Sequence, residues 1–84
     1  MQEFKVTVKL VEMKEMTGFM EGYVRIDGKR YSFTCILFGN IGGHNVSVKL
    51  SGQARKWLKK KGYDADEVEE EIQRSIVTGK FVKK

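Results

Sequence analysis

The chain has 84 residues and a mass of 9.7 kDa, room for one domain (residues 1–84) and no more. Apolar residues at 40% and charged residues at 32% suit a small soluble globule rather than a disordered chain, and a net charge of +5 makes anionic partners the first class to test. A single cysteine excludes an intrachain disulfide and a cysteine-based metal site, the absence of proline argues against a polyproline ligand, and no apolar run approaches the ~18 residues of a membrane span.

The first segment, Phe4-Lys5-Val6-Thr7-Val8-Lys9-Leu10, alternates with period two. Phe4, Val6, Val8 and Leu10 point one way and Lys5, Thr7 and Lys9 the other, as in a half-buried strand. From Val11 to Gly18 the alternation is lost, so a turn is expected there. Next comes Tyr23-Val24-Arg25-Ile26-Asp27-Gly28-Lys29-Arg30-Tyr31, in which Asp-Gly between two β-rich runs signals a two-residue type I′ hairpin. That turn predicts pairing of Ile26 with Lys29, Val24 with Tyr31, Gly22 with Phe33 and Met20 with Cys35. Paired residues share a face. The core face then carries Met20, Gly22, Val24, Ile26, Tyr31, Phe33, Cys35 and Leu37, and the outer face Glu21, Tyr23, Arg25, Arg30, Ser32, Thr34 and Ile36. A slip of one residue would bury the arginines.

Gly39-Asn40-Ile41-Gly42-Gly43 reads as a flexible loop leading to a fourth strand near 44–50, with Val46, Val48 and Leu50 inward. Ser51 is a good N-cap for a first helix over about 51–61, with Ala54, Trp57, Leu58 and the stem of Lys61 at helical spacing and Gly62 closing it. Asp64-Ala65-Asp66-Glu67 opens a second helix over 64–78, with Val68, Ile72, Ser75 and Ile76 as its stripe and Gly79 as its stop. A basic tail, 79–84, follows. The expected fold class is α+β: a four-stranded antiparallel meander over 4–50, then two helices packed on one face of the sheet (ββββαα), the other face left wet.

Charge is uneven along this plan. Residues 1–50 carry seven cations against five acids, 51–63 five cations and no acid, 64–78 one cation against six acids, and the tail three lysines. The basic run Arg55, Lys56, Lys59, Lys60, Lys61 is expected to be offset by the acidic helix beside it, since both blocks suit their helix dipoles. The surplus lies on the outer sheet face and in the tail: Lys5, Lys9, Arg25, Arg30 and Lys49 with Tyr23 among them, joined by Lys80, Lys83 and Lys84. Cations that track phosphates beside a ring that stacks on a base form the pattern of a single-strand binder. Glu3, Glu21 and Asp27 interrupt it.

Catalysis is not expected. Nearly every apolar side chain of so small a domain is needed for its core, so a deep pocket would compete with folding. Cys35 falls on the core face, His44 is the only histidine, and Glu69-Glu70-Glu71 lies on the second helix, where Glu70 can pair with Arg74 and Glu71 can meet a lysine of the first helix. Gly39-Asn40-Ile41-Gly42 matches a bare GxxG, but it joins two strands rather than two helices and lacks a P-loop ending. No cofactor and no metal are implied.

The leading expectation is a small non-enzymatic module that docks single-stranded nucleic acid or RNA on its outer sheet face and tail. The alternative is a protein-interaction or homodimeric module using Phe19, Ile36, Ile41, Val77, Phe81 and Val82 together with an open strand edge. The N-terminus lacks the layout of a signal peptide, so a cytoplasmic setting is expected, and abundant Lys and Glu with few Asn and Gln lean towards a heat-adapted source.

Overall fold

The computed structural model describes residues 3–14, 17–40 and 43–84. Four strands run as an antiparallel meander, β1 (Phe4–Lys14), β2 (Thr17–Ile26), β3 (Lys29–Asn40) and β4 (Gly43–Leu50), followed by helices α1 (Gly52–Lys60) and α2 (Ala65–Val77). A short fifth strand, β5 (Val82–Lys83), ends the fold, and the sheet order is β4-β3-β2-β1-β5.

The fold is α+β, with the meander and both helices where the sequence puts them. The sheet, however, is mixed and five-stranded rather than four-stranded and antiparallel. Val82 and Lys83 pair in parallel with Thr7 and Val8, and the Lys84 amide donates to the Val8 carbonyl at 2.8 Å. The expected basic tail is therefore partly a strand. It covers part of the β1 edge, whose backbone groups would otherwise need water or another partner.

The central hairpin has the expected register, from Ile26↔Lys29 to Met20↔Cys35. Asp27 (φ 49°) and Gly28 (φ 86°) both sit in the left-handed region, as a type I′ turn requires. Other strands run longer than expected. β1 continues to Lys14, and its alternation breaks because of a bulge between Leu10, opposite Met20, and Glu12, opposite Phe19. β3 and β4 stay paired out to Asn40↔Gly43, so Gly39, Asn40 and Gly43 of the expected loop belong to the strands. Ile41 lies outside the described residues.

Each of β1 to β4 turns alternate apolar residues to one side. Val6 and Val8, Met20, Val24 and Ile26, Tyr31, Phe33 and Cys35, and Val48 and Leu50 are buried there against Ala54 and Leu58 of α1 and Val68, Ile72 and Ile76 of α2. Ser51 caps α1 by accepting from the Ala54 amide at 3.1 Å, and Asp64 caps α2 by accepting from the Asp66 amide at 2.9 Å. Trp57 departs from its expected place in the stripe. Ala54 and Leu58, one turn apart, take the core positions, and Trp57 lies on the flank, 39% exposed.

Glu69 ties the layers together. It accepts the Leu50 amide at 2.8 Å where β4 ends and meets the Arg55 guanidinium at 2.8 Å, while Asp66 holds the other arm of Arg55 at 2.8 Å. The acidic helix thus meets the basic run only at Arg55, whereas Lys56, Lys59, Lys60 and Lys61 have no acidic partner within ion-pair distance among the described residues, so the expected offset is only partial. The residue facing α1 is Glu69 rather than Glu71. Glu71 instead pairs with Arg74 at 2.6 Å, the contact expected of Glu70.

Candidate nucleic-acid interface

The register arranges the outer face in cross-strand rows, spaced about 7 Å apart because each row lies two residues further along the strands. Nearest the Asp27-Gly28 turn is a cationic row, Lys5, Arg25 and Arg30. A hydroxyl row follows, Thr7, Tyr23 and Ser32, and then Lys9, Glu21, Thr34 and Lys49. Beyond them the chemistry changes to Glu12, Phe19, Ile36 and Ser47, with Phe38 opposite Thr17 one row further. One sheet face is thus basic and hydroxylated towards the turn and apolar towards the far end.

A cavity of about 400 Å³ opens on the basic half. Thr7, Lys9, Glu21, Tyr23, Thr34 and Lys49 line it from the sheet, and Lys84 closes in from β5. Gly22 lies beside it, where β2 passes very close to β1. A Cβ at Gly22 would overlap the Thr7 carbonyl oxygen and fall 2.9 Å from Val8 Cα.

Tyr23 is half-buried between cations, with the Arg30 guanidinium 4.6 Å and the Lys84 ammonium 5.9 Å from its ring centre. A hydrogen bond with the Thr7 side chain is the main reason its phenol lies below the ordinary value of 10.0; desolvation opposes that shift, and the charges of Arg30, Lys84 and Lys5 add to it. The ring is thereby fixed in orientation, but its face is already occupied by its own cations. A stacking base would have to displace Arg30 or Lys84 towards the phosphates.

Of the sequence-predicted nucleic-acid residues, Lys5, Lys9, Tyr23, Arg25, Arg30, Lys49 and Lys84 share this face. Arg25 is partly neutralised by Glu3, whose carboxylate lies 3.5 Å away and also accepts the Gly28 amide at 2.7 Å. Asp27, the other acid at this end, accepts from the Tyr63 hydroxyl at 2.6 Å. Lys9, Lys49 and Lys84 have no acidic partner within ion-pair distance among the described residues. Two tail residues do not join the face. Lys83 pairs opposite Val8, which puts it on the reverse side of β5, and Lys80 lies before that strand, its amide bonded to the Ser75 carbonyl at 2.7 Å.

The apolar residues of the alternative reading do not form one patch. Phe19 and Ile36 adjoin on the far half of the outer face, Val77 is at the end of α2, and Val82 lies beside Thr7 on the opposite edge. Phe81 packs against the core, so that part of the tail folds back. Sequence reasoning misses Phe38, 47% exposed, because the expected alternation of β3 ends at Leu37, and misses Trp57 as a surface residue because helical spacing alone does not choose between neighbouring flanks.

Burial pushes the Cys35 thiol up to about 11, where it stays protonated at neutral pH. Among the described residues no group of three His, Cys, Asp or Glu side chains is placed to hold a metal, and no helix is long and apolar enough to cross a membrane. Comparison with known proteins finds no matching family model, curated protein or solved structure. Function has to be read from the chemistry of the surface.

Proposed function

We propose that the protein is a small binding module that holds a single-stranded nucleic acid on the basic half of its outer sheet face. The observation that carries this reading is the row Lys9, Glu21, Thr34, Lys49, extended by Lys84 around the cavity. Ammonium groups there serve phosphates, the exposed hydroxyls of Ser32 and Thr34 donate or accept, and Glu21 accepts from base amino groups. Tyr23 supplies an aromatic surface once a base displaces one of its cations.

Fluorescence anisotropy with labelled oligo(dT) and oligo(rU) of about six nucleotides, within the span of one small binding fold, tests the reading. Affinity is expected to fall steeply with salt. Lys9→Ala/Lys49→Ala should weaken binding at least tenfold and lower the salt slope by about 1.4, about 0.7 for each phosphate of the single strand that is no longer neutralised. Lys56→Ala/Lys59→Ala on α1 should change the affinity for this short strand less than twofold. Equal losses from the two double variants would overturn the assignment of the site.

A second reading rests on the far half of the same face, where Ile36 is 38% and Phe38 47% exposed beside Phe19. Apolar side chains this close together suit a protein contact, including one with a second copy.

A further inference from the structure

Trp57 is the only tryptophan of the chain, and it is 39% exposed on α1, the helix that carries Arg55, Lys56, Lys59 and Lys60. The Lys29 ammonium lies 3.7 Å from its ring centre and that of Lys60 5.0 Å. Lys56, Lys59 and Lys61 are exposed on or just beyond the same helix, and only Arg55 of the α1 cations is ion-paired among the described residues. A cation–π contact at an exposed site is weak. Two ammonium groups brought to one ring therefore remain available to an anion, and both are pre-oriented by the same indole.

The turn of the central hairpin connects this cluster to the outer face. Lys29 and Arg30 are consecutive residues at the start of β3. Lys29 points to the helix side and caps Trp57, and Arg30 points to the outer side and caps Tyr23. Both aromatic–cation clusters thus lie at the same end of the sheet, joined through the consecutive residues Lys29 and Arg30. The two acids at that end, Glu3 and Asp27, are engaged by Arg25 and the Gly28 amide and by the Tyr63 hydroxyl. We infer that a nucleic-acid strand longer than the outer face can hold passes round the Asp27-Gly28 turn and is gripped a second time by Lys29, Lys60 and Trp57. This inference rests on the proposed function of the outer face, and the charge of the cluster selects a phosphate-bearing partner.

The single tryptophan makes the test direct. The intact protein is titrated with oligo(dT) and oligo(rU) of about six and about twenty nucleotides, following both anisotropy and Trp57 emission. A longer strand offers more registers and binds tighter on that ground alone, so the deciding readouts are emission and salt slope, which register count does not change. The short strands should bind without altering emission, whereas the long ones should quench it and steepen the salt slope by about 1.4, about 0.7 for each of two further phosphates. Lys29→Ala/Lys60→Ala should remove the extra slope and leave the affinity for short strands within twofold of the wild type. Long strands that bind with unchanged emission and unchanged slope would overturn the second grip while leaving the outer face standing. If neither length binds, both readings fall. A shift of Trp57 emission on anionic phosphatidylglycerol vesicles that long strands do not reverse would assign the cluster to a lipid surface instead.

Discussion

Gly28 and Gly22 belong to the same hairpin and resist substitution for different reasons. Gly28 adopts φ 86° with open space where a Cβ would stand, nothing lying within 4 Å, so Gly28→Ala costs only the left-handed backbone, about 1 kcal/mol. Gly22 has no such dihedral demand, but its Cβ would overlap the Thr7 backbone, which cannot retreat without opening β1 from β2. Gly22→Ala should therefore cost upwards of about 3 kcal/mol in urea denaturation. Equal losses at the two positions would contradict that account. The Asp27-Gly28 turn is legible in the sequence because its cause is local; the need for Gly22 arises from Thr7, 15 residues earlier, and leaves no local mark. Cys35 adds a pH dependence at the same scale. Its thiol, raised from 9.0 to about 11 by burial, stays neutral in the folded state while the unfolded chain ionises. Stability from this group is full below pH 9 and is lost as pH rises through about 11, with Tyr31 and Tyr63, both raised, acting in the same direction and Tyr23, lowered, against it. Urea midpoints should fall over that window in the wild type and fall less steeply in Cys35→Val.

Between elements, the Glu69 carboxylate joins the end of β4 to the start of α1 and both to α2. Its side chain is only 20% exposed and it accepts a backbone amide at 2.8 Å, so Glu69→Ala should destabilise the fold by about 2 kcal/mol. Glu70→Ala, at a position without such a backbone bond, should change stability by less than about 0.5 kcal/mol. Thermal or urea melts of the two variants decide whether the contact matters. Periodicity alone places the elements well here: period two gives β1 to β4, and caps give both helices to within a residue or two. It does not find the bulge after Leu10, where one inserted residue makes a continuing strand look like a turn. Nor does it find β5, whose two residues have no period of their own and pair only because β1 presents an open edge. Which of three consecutive glutamates faces α1 is likewise decided by packing, not by composition.

The whole molecule measures 39 × 21 × 20 Å, and the long dimension reflects the strands. Twelve residues of β3 span about 40 Å, whereas the nine and thirteen residues of α1 and α2 reach only about 14 and 20 Å. Two helices of that size cannot cover such a sheet along its length. On the proposed nucleic-acid reading the far, apolar half has no part in binding. Light scattering should then return 9.7 kDa at low and high protein concentration, and Ile36→Ser/Phe38→Ser should leave oligonucleotide affinity unchanged. A mass that doubles with concentration and reverts to the monomer value in that variant would establish the second reading. The division of the outer face into halves is only partly legible in the sequence: Lys5, Lys9, Arg25, Arg30 and Lys49 follow from alternation, whereas the place of Lys84 depends on β5 and that of Phe38 on how far β3 runs.

The close crossing at Gly22 also bears on ancestry. Lysines and hydroxyls on an exposed face can be exchanged for one another over many generations at little cost to folding, so the binding chemistry of such a surface drifts. Position 22 admits no side chain at all while β1 keeps its course. Descendants of the same ancestor that retain this sheet should therefore keep a glycine six positions before the hairpin glycine, even where every surrounding cation has turned over. That spacing, set inside an alternating strand, is a more durable mark of kinship than the charges that give the face its function.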